Sequence, residues 1–317
     1  MLSLTAASGP ALLEGQSATE TIDGTWTARY AGKKGAAPDT SRIYLQFIRD
    51  HNNMGQTWPA GSLPGLNLER EAENLRVELR REAGTIVLTG NVRRNRGFGI
   101  FDFTPNPEFA RQIGAAPGRK ALTPERLFTL AVLDVSRAFI QQIEALGYKN
   151  LDLDDLIAMK IHGVTPEFIT ELRALGFTSL SHDALVAFRI HGATPEFVKR
   201  MAAAGYKGLD PDDLVSARIH GVSPEFLDEL KKNGYSGLEF DDLVSFRIHG
   251  VTTDFIEEMA AVGYKDLSAE RLVEFRIHGV DAEFVKDLKE RGYSGLSARD
   301  LVDARIHGRR WMRRKAR

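Results

Sequence analysis

The sequence predicts an α+β protein: an N-terminal antiparallel β-domain followed by an α-solenoid of two-helix, 29-residue repeats. Three observations predict it. "KIHG" at Lys160 returns as "RIHG" at Arg189, Arg218, Arg247, Arg276 and Arg305, each copy 29 residues after the last. A fixed period in this range marks stacked supersecondary units rather than a copied active site. The first 120 residues have a different period, an apolar/polar alternation suited to half-buried strands. The composition, with 43% hydrophobic and 27% charged residues, is that of a globular chain.

The strands come first along the chain. "TWTARYA" at Thr25, "RIYLQFI" at Arg42, "LRVELRR" at Leu75, "TIVLTGNV" at Thr85 and "GFGIFDF" at Gly97 alternate with a period of two. "REAGT" and "RRNRG" read as turns between the last three. A meander or small sandwich of five or more strands is expected over residues 20–110, after a leader at 1–19. "HNNMGQTWPAGSLPG", His51 to Gly65, reads as a loop. Its Asp50, His51 and Trp58 lack a nucleophile or a third catalytic partner. "TPNPEFARQIGAAPGRK", from Thr104, reads as the way into the repeats, with 111–121 as linker.

The repeats occupy residues 122–308: a degenerate copy at 122–150, five full copies at 151–295 and a half copy at 296–308. Each reads as two short helices. Asp152, Ser181, Asp210, Ser268 and Ser297 are N-cap candidates for the first helix, which ends at the His-Gly. Thr165, Thr194, Ser223, Thr252 and Asp281 cap the second, with Pro166, Pro195 and Pro224 at its first position. The second helix ends at a Gly-aromatic pair such as Gly234-Tyr235.

Two columns form the predicted structural ladder. The basic one is Lys160, Arg189, Arg218, Arg247, Arg276 and Arg305, whose wheel position falls on the apolar face defined by Leu214, Val215 and Ile219. The acidic one is Glu167, Glu196, Glu225, Asp254 and Glu283. Ion pairs between them are expected, for example Arg189 with Glu167 or Glu196. The histidines His162, His191, His220, His249, His278 and His307 suit a last helical turn, where cations meet exposed carbonyls. Stacked helices lie about 8–10 Å apart, too far for one histidine per repeat to share a metal. No metal, cofactor or catalytic residue is expected. The chain has no cysteine, no H-E-x-x-H, no Walker loop and no G-x-S-x-G.

One column varies between small and aromatic: Met159, Phe188, Ala217, Phe246, Phe275 and Ala304. It is either core filling or the lining of a partner-binding surface, and these six are the partner-binding candidates. Charge sharpens the choice of partner. Net charge is +3 over 1–121, −10 over 122–308 and +6 over the tail 309–317, together the −1 of the whole chain. An acidic array disfavours nucleic acid. "IHGVSPEF" faintly resembles the hairpin of helix-hairpin-helix motifs, but Ser, Thr or Asp stands where those have a second glycine. A protein or peptide partner, a basic one on charge grounds, is expected instead. The tail residues Arg309, Arg310, Arg313, Arg314, Lys315 and Arg317 suit no more than a weak contact with an anionic surface. No apolar run approaches a membrane span.

The consensus "LSxxxLVxFRIHGVTPEFIxxLxxxGY", preceded by "LRREAGTIVLTGNVRRNRGFGIFDFTPNPEF", resembles segments of bacterial proteins over residues 24–308. Some such segments are attached to membrane zinc metallopeptidases of the antibiotic-sensing antirepressor type. The peptidase part has no counterpart here, so no catalytic residue carries over. The resemblance implies an extracytoplasmic (periplasmic or secreted) sensing or interaction module, with a cytoplasmic one as the alternative. The leading functional expectation is a non-enzymatic scaffold or sensor. A small-ligand or hydrolase-like β-domain, with the solenoid as adaptor, is the second, and a pocket at His51 and Trp58 would favour it.

Overall fold

The computed structural model describes residues 20–32, 37–49, 52–114, 122–308 and 310–311. Six strands, β1 (Ile22–Ala31), β2 (Asp39–Arg49), β3 (Asn52–Pro59), β4 (Ala72–Arg81), β5 (Gly84–Arg93) and β6 (Arg96–Pro105), form one antiparallel sheet in the order β3-β2-β1-β6-β5-β4. Two three-strand meanders are thus joined by the pairing of their outer members, β1 and β6. All five strands anticipated from alternation are present. The sixth, β3, corrects the reading of His51 to Gly65 as a loop. Its residues pair with β2 along its whole length, Arg42 opposite Pro59 and Arg49 opposite Asn52. Only after Pro59 does the chain turn, through a 3₁₀ turn at Ala60–Ser62. Gly, Asn and Pro hide a strand from propensity reasoning, but an edge strand pairs on one side only and tolerates them.

The inner face of the sheet holds the core of this part. Trp26 is fully buried and donates through Nε1 to the Thr89 carbonyl at 3.2 Å. Gly97 makes room for it, since a Cβ there would lie 2.6 Å from the indole Cζ3. After β6 come α1 (Pro107–Gly114), α2 (Pro124–Val132), α3 (Arg137–Ala145) and α4 (Leu153–Ile161). Asn106 caps α1 by accepting from the amides of Glu108 and Phe109, and Phe109 and Ile113 are buried. The reading of 111–121 as linker is therefore corrected at 111–114, which end α1, and 115–121 lie outside the described residues. The degenerate first repeat does form its two helices, α2 and α3. Phe128 of α2 stacks on Phe101 at 5.0 Å and meets Phe47 edge-on at 5.3 Å. That contact explains why the copy is degenerate: its first helix buries an aromatic against a sheet instead of matching another repeat.

The chain divides into two compact units, Met1–Pro166 and Glu167–Arg317. The second is the regular array: α5 (Pro166–Ala174), α6 (His182–His191), α7 (Pro195–Ala203), α8 (Pro211–His220), α9 (Pro224–Lys232), α10 (Phe240–His249), α11 (Thr253–Ala261), α12 (Ala269–His278), α13 (Ala282–Glu290) and α14 (Ala298–His307). Helices shorter than about 12 residues are marginal alone, so packing and caps hold these. Ser181, Asp210, Ser268 and Ser297 cap the first helices of their repeats; Thr194, Ser223, Thr252 and Asp281 cap the second, each accepting a backbone N–H. The first helices stack in succession, α6 on α8, α8 on α10, α10 on α12 and α12 on α14. This is the arrangement of an α-solenoid.

Candidate interaction surface

The Arg-Ile-His-Gly segment closes each first helix. In the second unit Gly192, Gly221, Gly250 and Gly279 take left-handed φ of 69–75°. Glycine enters this region without the steric cost that a Cβ brings. The arginine three residues before each glycine then reaches back to the preceding repeat. Its guanidinium lies over a phenylalanine ring of that repeat's second helix: Arg189 over Phe168 at 5.0 Å, Arg218 over Phe197, Arg247 over Phe226 and Arg276 over Phe255 at 4.9 Å, Arg305 over Phe284 at 4.6 Å. Arg218, Arg247 and Arg276 also donate from Nε to the carbonyls of His191, His220 and His249 at 3.3–3.4 Å. The glycine leaves room for this, because a Cβ on Gly221 would stand 2.9 Å from Arg247 Nη2. Within the first unit, Lys160 makes the equivalent contact over Phe139 at 4.3 Å, and burial lowers its pKa.

At four of its six rungs the expected ladder of ion pairs is thereby corrected. Arg218, Arg247, Arg276 and Arg305 make no ion pair among the described residues. Each cation finds a π-face, and all but Arg305 a helix-end carbonyl as well, without desolvating a carboxylate. The acidic column, Glu167, Glu196, Glu225, Asp254 and Glu283, is exposed at the start of the second helices. There it serves the helix dipole. Glu225 pairs with Arg200 of α7 instead, and that hydrogen bond holds its carboxyl down at about 2. The histidines contribute backbone: His191, His220 and His249 offer the carbonyls, while their imidazoles are exposed or half-exposed.

The partner-binding candidates Met159, Phe188, Ala217, Phe246, Phe275 and Ala304 are core residues, none more than 2% exposed. Where the first helices stack, side chains of differing size fill the space between them. Ring contacts show the fit: Tyr235 meets Phe246 and Tyr264 meets Phe275 at 6.3–6.4 Å. At Ala304 there is no ring, and Tyr293 contacts Trp311 at 5.7 Å instead. Trp311 is buried, so the tail begins by covering the end of the array. Arg310 is exposed, and Arg309, Arg313, Arg314, Lys315 and Arg317 lie outside the described residues.

What sequence reasoning missed is isoleucine. Ile219 was expected to point inward with Leu214 and Val215. Instead Ile190, Ile219, Ile248, Ile277 and Ile306 are 52–55% or 56% exposed, one per repeat, each beside its exposed arginine. Ile161 of the first unit is equally exposed. The signal was in the sequence: outside the degenerate copy, which has Val132 here, this residue does not vary although the fold does not bury it, whereas the buried column changes between Phe188 and Ala217.

In the first unit, His51 lies outside the described residues, as does Asp50. Trp58 is buried beneath the guanidinium of Arg81 at 4.8 Å. Among the described residues no three His, Cys, Asp or Glu side chains gather in a metal-binding group. No helix there is long and apolar enough to cross a membrane. The chain matches no protein-family model, no curated protein and no solved structure.

Proposed function

We propose that the helical array is a non-enzymatic docking surface for a partner protein, worked by the isoleucine column with its arginines. One observation carries this reading: an identical, half-exposed isoleucine on each first helix of the second unit, helices that stack in succession. Aligned apolar side chains that serve no core are the mark of a surface meant to be covered. Each brings a cation that no acid among the described residues neutralises at Arg218, Arg247, Arg276 or Arg305. The fitting partner offers apolar side chains at the repeat spacing with carboxylates beside them. That differs from the basic peptide suggested by net charge alone, since local groups rather than the sum face the ligand. The resemblance of the repeats to segments borne by sensing peptidases supports an extracytoplasmic sensor or adaptor role.

The test is site-specific photocrosslinking in cells. A photoreactive residue at Ile219 or Ile248 should trap one protein in stoichiometric yield, while the same residue at exposed Lys231 should not. Ile248→Glu and Ile277→Glu together should abolish capture at Ile219 with the helical circular dichroism retained. Equal capture at Lys231, or none at the column, overturns the reading.

A further inference from the structure

The outer face of the sheet carries a pattern independent of the repeats. On β1 the outward side chains are Asp23, Thr25, Thr27 and Arg29; on β6 they are Arg96, Phe98, Ile100 and Asp102. The register pairs them across the strands as Arg29 with Arg96, Thr27 with Phe98, Thr25 with Ile100, and Asp23 with Asp102. These four rows run cation, apolar, apolar, anion. Phe98 and Ile100 are 43% and 57% exposed, and Ile48, opposite Thr25 on β2, extends the apolar rows as a half-exposed side chain. None of Asp23, Arg29, Arg96 and Asp102 makes an ion pair among the described residues. Other charges nearby are spent locally: Arg93 pairs with Glu73, and Glu78 with Arg76 and Arg80.

The rows read as a palindrome under a two-fold axis. Take an axis in the plane of the face, perpendicular to the strands and midway between the Phe98 and Ile100 rows. Rotation about it lays a second sheet face-down on the first, with Arg96 over Asp102, Arg29 over Asp23, and Phe98 over Ile100. An isologous interface demands this self-complementarity, residue i meeting j while j meets i. Two sheets packed face to face leave about 10 Å for the intervening side chains. Six strands at about 4.8 Å and some ten residues at about 3.3 Å give a face of roughly 900 Å². That is enough to supply the roughly 800 Å² that one partner contributes to a stable complex.

We propose that the chain forms a homodimer through this face, two sheets packing as a sandwich with Arg96–Asp102 and Arg29–Asp23 contacts repeated on both sides of the dyad. Analytical ultracentrifugation of the full chain tests it. The wild type should show a reversible monomer–dimer equilibrium that salt weakens. Arg96→Asp should place Asp against Asp twice, and Asp102→Arg should place Arg against Arg twice, each weakening association by roughly a hundredfold. Mixing the two variants should restore the dimer, because every contact across the axis is then Asp against Arg. Both positions are exposed strand sites, and an unchanged far-ultraviolet spectrum checks that each variant folds. A wild type that stays monomeric overturns the proposal, as does a dimer indifferent to either substitution. So does a mixture that stays monomeric.

Discussion

At the residue scale, Arg218 separates two accounts of how repeats cohere. As half of an ion pair it would depend on Glu196 or Glu225. As observed it depends on the Phe197 ring at 4.9 Å and the His191 carbonyl at 3.3 Å. Arg218→Ala should therefore cost about 1–2 kcal/mol, the sum of a partly exposed cation–π contact and a charge-assisted hydrogen bond. Glu196→Gln should stay within about 0.5 kcal/mol, as for an exposed surface change. Urea denaturation of both variants checks this, and equal losses would restore the ion-pair account. The basic column was legible in the sequence, and so was its place in the last helical turn. Its partner was not. Charge invites the thought of opposite charge, while a phenylalanine ring 21 residues back announces itself only once the helices are stacked.

At the element scale, each helix hairpin is legible locally. Ser or Thr before Pro-Glu starts the second helix, and Gly ends both, because caps and left-handed turns depend on neighbours a few residues away. The Gly-aromatic pair shows where that reasoning stops. Tyr235 closes its helix as expected, its amide donating to the Leu230 carbonyl at 2.9 Å. Its hydroxyl also donates to the Leu267 carbonyl at 2.8 Å, and Tyr206 and Tyr264 do the same to Leu238 and Leu296. Burial pushes the pKa of all three phenols up. Tyr235→Phe keeps the ring against Phe246 and removes only the donor, so it should destabilise by about 1 kcal/mol. A shift of the urea midpoint with unchanged slope is the expected readout; no shift would mean water replaces the bond without loss. The sheet teaches the same lesson. Five strands follow from alternation, but β3 is a strand because β2 offers it an edge, which no local window contains.

At the scale of the whole molecule, contacts between neighbouring repeats dominate the second unit, so one period should be dispensable. Deleting residues 209–237 removes one full period and places Phe188 beside Phe246, the same neighbourhood that Phe246 and Phe275 already share. The shortened chain should keep cooperative unfolding and lose helical signal in proportion to its length. A chain that no longer unfolds cooperatively would show that particular repeats, rather than the repeat, hold the array. By itself the sequence determined the two-part α+β architecture, the period, the capping residues of most repeat helices and the acidic balance of the array, because periodicity, capping and charge are written in local order. Only the tertiary structure decided which way each column points. It buried the variable Phe and Ala, turned the repeated isoleucine outward and set Arg29 opposite Arg96 and Asp23 opposite Asp102 on the open face of the sheet. A helix of ten residues has no inside until its neighbours pack on it, and a strand has none until one face of its sheet is covered.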